Sequence, residues 1–119
     1  MAQYVDGFVI PIKKKNLNNY KKLAQFGCKA WMKHGALNYY ECVGDDFIQH
    51  GIGFKKMCKL KPDETFIFAF ITFKSKAHRD KVNKKVMVEM DSLFKDMKMP
   101  FDMKRFSMAG CKTLVHSKS

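Results

Sequence analysis

The stretch Phe66-Ile-Phe-Ala-Phe-Ile-Thr-Phe73 constrains this chain more than any other, because it has no polar side. Aromatic and β-branched residues dominate it, which marks a strand. Alternate residues of a strand face opposite ways, so Ile67, Ala69 and Ile71 form one face and Phe66, Phe68 and Phe70 the other. Both faces therefore need a cover. The small aliphatic set suits helices packed above it. The phenylalanine row, joined in this reading by Tyr4 and Phe8 of the first strand, needs something else. Bare, it would be a contiguous apolar patch of the kind that marks an interface. A second copy of the same sheet is the simplest cover, so Tyr4, Phe8, Phe66, Phe68 and Phe70 are the expected homodimer interface.

The other elements follow from spacing and punctuation. A first strand runs from Tyr4 to Ile10 and is expected to stop at Pro11, which cannot donate to a ladder. Asn16 is a good helix N-cap, and Leu17, Tyr20, Leu23, Ala24, Gly27, Ala30, Trp31 and His34 then recur at helical spacing up to Gly35. A second strand spans Leu37 to Val43, and Gly44-Asp45-Asp46 closes it. Residues 50–64 read as a long loop or hairpin arm. Ser75 caps a second helix with Val82, Val86, Met87 and Met90 on one stripe, and a last strand lies at about 105–115. The order β-α-β-β-α-β gives an α+β, ferredoxin-like domain: an antiparallel sheet with two helices on one face. At 119 residues the chain is one domain, expected over residues 1–116 with a polar tail at 117–119.

Charge and cysteine usage narrow the function classes. The 23 basic residues outnumber the 11 acidic ones, for a net charge of +12, which invites a polyanion as partner. Yet only Arg79 and Arg105 are arginines, the residue favoured for bidentate phosphate and base contacts. Strand three resembles the aromatic pattern of an RNA-recognition motif only in part: Phe66 and Ile67 stand where a basic residue and glycine belong. The reading goes against dedicated nucleic-acid binding. The four cysteines form no CxxC pair, and no export signal or membrane-length apolar run is visible, so reduced thiols and the cytoplasm are expected.

No motif specifies a reaction. Asp6 and Arg105 fall on neighbouring strands of such a fold, where they are expected to pair. They would either hold a polar group of a ligand or fix how two sheets meet, and the second is preferred. Glu41, Asp45 and Asp46 cluster at the end of strand two; turns recruit such residues more often than cations do. The four histidines do not cluster, and no metal or cofactor is expected. Tyr20 and Trp31 read as core.

Several segments together carry a family resemblance. Tyr4-Val-Asp-Gly-Phe8, Gly35-Ala-Leu37 leading to Glu41-Cys42 and Asp45-Asp46, Phe70 to Lys76 with Arg79-Asp80, Asn83-Lys-Lys85, and Met99-Pro-Phe-Asp102 with Lys104-Arg105 resemble the YbaA-like family. This is a group of small bacterial proteins of unknown function in the dimeric α/β-barrel superfamily. The resemblance implies the ferredoxin-like fold and a two-fold pairing of sheets into a barrel. By analogy with the superfamily it points to a small-molecule ligand, bound or transformed in a cavity between helices and sheet. The alternative is a basic adaptor for RNA or another polyanion.

Overall fold

The computed structural model describes residues 3–48 and 50–117. Strand β3 (Glu64–Phe73) lies between β1 (Tyr4–Lys13) and β2 (Asn38–Val43), and β4 (Ser107–Lys112) pairs with the other edge of β1. All three pairings are antiparallel, and the sheet is open, in the order β2-β3-β1-β4. Helix α1 (Leu17–Lys33) follows β1, a single turn α2 (Gly53–Met57) sits in the β2–β3 connection, and α3 (Lys76–Phe94) follows β3. This is the ferredoxin-like α+β arrangement.

Local chemistry explains most element ends. Ser75 caps α3 by accepting from the His78 amide at 3.1 Å. Gly35 takes φ +112, the left-handed conformation that ends α1. Asn16 precedes α1 but makes no side-chain cap; its Nδ2 donates to the Pro100 carbonyl at 3.2 Å and ties the helix start to the α3–β4 connection.

Pro11 does not end β1, contrary to the sequence expectation. It pairs with Phe66 inside the strand, which runs on to Lys13. The Lys14 amide donates to the Asp63 carbonyl. By the period of two, even-numbered residues of β1 therefore point their amides at β3, and the Pro11 nitrogen faces the other edge. There β4 has already stopped, at the Val9–Ser107 pair, so no ladder bond is lost.

Register corrects a second expectation. Tyr4, Asp6, Phe8 and Ile10 pair with Phe73, Ile71, Ala69 and Ile67, which places them on the helix face. Tyr4 and Phe8 therefore do not join the phenylalanine row. On the open face Val9 and Gly7 stand beside Phe68 and Phe70, with Tyr40 and Cys42 on the β2 side. The helix-side core has two centres. Ile71 and Phe73 pack against Ala30, Val82 and Val86, and Ile10, Ile12, Ile67 and Ala69 pack around Tyr20. The β2–β3 arm folds back over one end of the open face: Phe47 and Phe54 pack on Phe66, with centroids 5.6 and 5.0 Å away.

The expected Asp6–Arg105 pair does not form. Asp6 is fully buried beneath α3, where its Oδ1 accepts from Arg79 at 2.7 Å and its Oδ2 from Asn83 at 3.2 Å. Asn83 also accepts from the Trp31 indole at 2.8 Å, so one network joins β1, α3 and α1. Burial holds the Asp6 carboxyl above the usual carboxylate range, with the Asn83 and Arg79 bonds pulling it back. Arg105 instead donates to Glu64 at 2.7 Å and to the Cys58 and Lys59 carbonyls, latching the β2–β3 arm to the approach to β4. The Arg105 bond holds the Glu64 carboxyl below its usual range against the opposing effect of burial.

The two pairs should behave independently in denaturant melts. Asp6 pairs with Ile71, seven positions along β3 from Glu64, or roughly 23 Å at ~3.3 Å per residue. Asp6→Asn and Arg105→Met should add to within about 0.5 kcal/mol, whereas Asp6→Asn and Arg79→Met should couple by about 0.5–3 kcal/mol. The pH dependences run in opposite directions. Glu64 has a lowered folded pKa, so its contribution is present above its ordinary 4.5 and lost as pH falls through the lowered value. Asp6 has a raised one, so its contribution is present below 3.8 and lost as pH rises through the folded value. Arg105→Met should flatten the acid limb. Strong coupling between Asp6 and Arg105 would contradict this placement.

Candidate functional site

On β2 the alternation that turns Tyr40 and Cys42 to the open face turns Tyr39 and Glu41 to the helices. On α1, Tyr20, Ala24, Gly27 and Trp31 share the stripe that faces them. The result is a cavity of about 240 Å³ between the two layers, walled by aromatic rings such as Phe8, Phe94, Phe101 and Phe106. Phe101 stacks on Phe106 with centroids 5.8 Å apart, Phe8 meets Phe106 at a tilt at 5.9 Å, and Tyr20 meets Phe101 edge-on at 5.9 Å.

One carboxyl group interrupts this apolar wall. Glu41 Oε1 accepts from the Tyr20 hydroxyl at 2.7 Å and Oε2 from the Tyr39 hydroxyl at 2.6 Å. Burial, and then the neighbouring Glu41, push both phenols far above their usual pKa, so they remain neutral donors. Each carboxyl oxygen keeps further acceptor capacity after accepting one phenol hydrogen bond. Tyr20, Ala24, Tyr39 and Glu41 also line an outer groove beside Lys21 and Gln25. The cluster is thus the partition between cavity and solvent. Such a group suits recognition of a hydroxyl or amine on an otherwise apolar molecule; a phenol held neutral is no base or nucleophile.

Gly27 makes this geometry possible. A Cβ there would lie 2.9 Å from the Tyr39 hydroxyl and 3.4 Å from the Trp31 ring. A glycine in a helix interior costs about 1 kcal/mol against alanine, and here the missing methyl is the space in which Tyr39 reaches Glu41.

The residues expected from sequence divide as follows. Glu41 belongs to the cavity, but Asp45 and Asp46 are exposed beyond the strand end and do not meet it. Asp6 and Arg105 serve the separate pairs described above. Tyr4 lies beneath the Arg79 guanidinium, 4.9 Å from ring centroid to Cζ. Phe8 lines the cavity. Of the expected interface residues, Phe66 is partly covered by the arm. Phe68 is 41% exposed, and Phe70 stacks on Tyr40 at 4.8 Å. Among the described residues, no group of three or more His, Cys, Asp or Glu side chains could hold a metal ion, and no helix is long and apolar enough to cross a membrane. The residues that sequence reasoning missed are Arg79, Asn83, Tyr39 and Gly27, and it assigned Tyr20 and Trp31 to the core alone. Gly27 in mid-helix and the i, i+4 pair Arg79 and Asn83 were the available signals.

Comparison with known proteins agrees with the architecture. The profile of a family described as a protein of unknown function (DUF1428) matches residues 3–103. The uncharacterized protein YbaA of Escherichia coli strain K12 is 29% identical over 114 residues, covering 95% of this chain and 97% of that protein. YbaA of Shigella flexneri matches to the same extent. A crystal structure of a dimeric ferredoxin-like protein from an uncultured marine organism superposes with a TM-score of 0.57 at 6% identity, covering 98% of this chain and 100% of that one. At that identity the likeness is one of fold.

The role of Gly27 has a two-background test. Gly27→Ala should lower stability by about 1 kcal/mol, the overpacking cost exceeding the gain in helix propensity. In a Tyr39→Phe background, where the hydroxyl is gone, the same change should stabilise. Equal stabilisation in both backgrounds, read from urea midpoints, would show that Tyr39 does not need the space.

Proposed function

The chain belongs to the DUF1428 family of proteins of unknown function, and from the geometry above we propose that it works as a homodimer whose subunits each bind a small, largely apolar molecule between helices and sheet. The observation that carries the binding reading is the bridged carboxyl: Glu41 accepts a hydrogen bond from each of two phenols on the wall of an aromatic cavity. Ligand pockets are apolar enclosures with a few placed polar groups, and this cavity has that composition. At about 240 Å³ it lies below the ~300–1,000 Å³ of pockets for drug-sized ligands, so its occupant is small.

The dimer reading rests on the open sheet face. Phe68 and Tyr40 are 41% and 53% exposed, beside Phe70, Val5 and Val9 on a surface with no helix over it. Two-fold packing of this face on itself would cover it and leave each cavity on the outside of the pair. The fold neighbour described as dimeric adds support.

Light scattering at micromolar concentration should give twice the 13.9 kDa chain mass. Phe68→Lys should give a monomer, because a buried unpaired charge costs several kcal/mol; a monomeric wild type would refute the dimer.

For the cavity, calorimetric titration with 4-ethylphenol should give a Kd of about 1 mM or tighter, a modest efficiency for so few atoms. Ala24→Leu, which fills the cavity, should abolish binding while keeping or raising the melting temperature. Absence of binding to the wild type at about 10 mM, well above that Kd, would refute the cavity reading.

A further inference from the structure

The aromatic cavity does not end at its own wall. Leu23, Phe94, Met99 and Phe101 line it and also line a groove of about 900 Å³ at the start of α1. That groove has a different character. Lys13, Lys15, Lys22, Lys61, Lys98 and Arg105 surround it, drawn from β1, the turn that follows it, α1, the β2–β3 arm and the α3–β4 connection. Its two acids are already engaged. Glu64 is held by Arg105 at 2.7 Å, and Asp102 accepts from the Lys104 amide at 2.9 Å. Among the described residues, none of the five lysines takes part in an ion pair. The groove thus presents several uncompensated positive charges beside an apolar opening, and Glu41 stands on another wall of the same cavity.

We infer that cavity and groove form one two-ended site for a small amphipathic organic anion. This rests on the cavity reading above and adds the class of ligand. The anion lies against the lysines, the apolar body among the aromatic rings, and a hydroxyl or amine reaches Glu41. The polarity fixes the orientation, because both Glu41 oxygens already act as acceptors, and an anionic group beside them would be stripped of water and face a further acceptor in place of a donor. Lysines from separate segments also select for charge rather than for a rigid bidentate shape, so the site takes an anion with a flexible tether.

The test compares neutral and anionic probes that share one ring. Calorimetry would follow 4-ethylphenol, 4-hydroxyphenylacetate, 3-(4-hydroxyphenyl)propanoate and 5-(4-hydroxyphenyl)pentanoate, the series supplying tethers of different length. At about 20 mM salt the best acid should bind about tenfold more tightly than 4-ethylphenol, the worth of one charge-assisted hydrogen bond. That advantage should shrink at about 300 mM salt, where the screening length falls from roughly 20 Å to roughly 6 Å. It should also shrink in a Lys22→Gln, Lys98→Gln variant that melts like the wild type and still binds 4-ethylphenol. If 4-ethylphenol binds and no acid binds more tightly, the two-ended site is wrong and the cavity reading stands. An acid advantage indifferent to salt and to both lysines would place the anion elsewhere, and the inference fails. If 4-ethylphenol itself does not bind, the cavity reading fails and this inference with it.

Discussion

Strand β3 is hydrogen-bonded on both edges and apolar on both faces, so no rotation or slip can relieve it of either surface. A one-residue slip would exchange Ile67, Ala69 and Ile71 for the phenylalanines beneath the helices, replacing small side chains by large ones where Val82, Val86 and Ala30 leave little room. The rest of the chain answers this constraint in pieces. Helices α1 and α3 cover the aliphatic face. The arm around α2 turns Phe47 and Phe54 onto Phe66 at one end of the other face. What remains uncovered, centred on Phe68, Phe70 and Tyr40, is the part that no segment among the described residues reaches.

The helix side carries polar groups as well, and they fix geometry where apolar contacts would leave it loose. Asp6, buried beneath the helices, is satisfied wholly from α3, by Arg79 and Asn83. Because Asn83 also accepts a hydrogen bond from the Trp31 indole, the position of α3 over the sheet and the orientation of a cavity-lining ring are set by the same residue. An ion pair of this kind contributes little net stability over an apolar replacement. Its value here is that α3 has one seat on β1 rather than several, which a stripe of Val82 and Val86 alone would not provide.

How far this was legible in sequence depended on whether a feature is local. Strand β3, the capping serine and the helix-ending glycine rest on a few adjacent residues, and each stands where the pattern puts it. The fold order follows from them. Tyr4 and Phe8 were assigned to the wrong face because alternation within β1 and within β3 says nothing about their relative parity. That parity is set by the register Phe8↔Ala69, a long-range fact. Arg105 was paired with Asp6 because strands one and four are neighbours, but the partner that reached Asp6 comes from the helix above, and Arg105 lies before β4 rather than in it. Glu41 was picked out for its neighbours Asp45 and Asp46, which do not meet it. Its real partners are two tyrosines, one two residues away on the same strand face and one on α1.

Stability alone does not explain the interior around Glu41. The side chains that line the cavity of about 240 Å³ lack packing partners on one side, which forfeits contact energy. The mid-helix Gly27 adds about 1 kcal/mol. Against a typical net stability of about 5–15 kcal/mol, neither is negligible. Both are simple to remove. A leucine at Ala24 would occupy the space, and an alanine at Gly27 would strengthen the helix if Tyr39 gave up its hydroxyl bond. Instead Gly27 leaves room for a phenol that bonds Glu41, and the cavity borders a groove rich in lysine. A helix glycine, a bridged carboxyl, a loosely packed aromatic cavity and uncompensated positive charge at its opening are each unfavourable or neutral for folding taken singly. They adjoin one another in a single region, as expected where an interior is shaped around something other than itself.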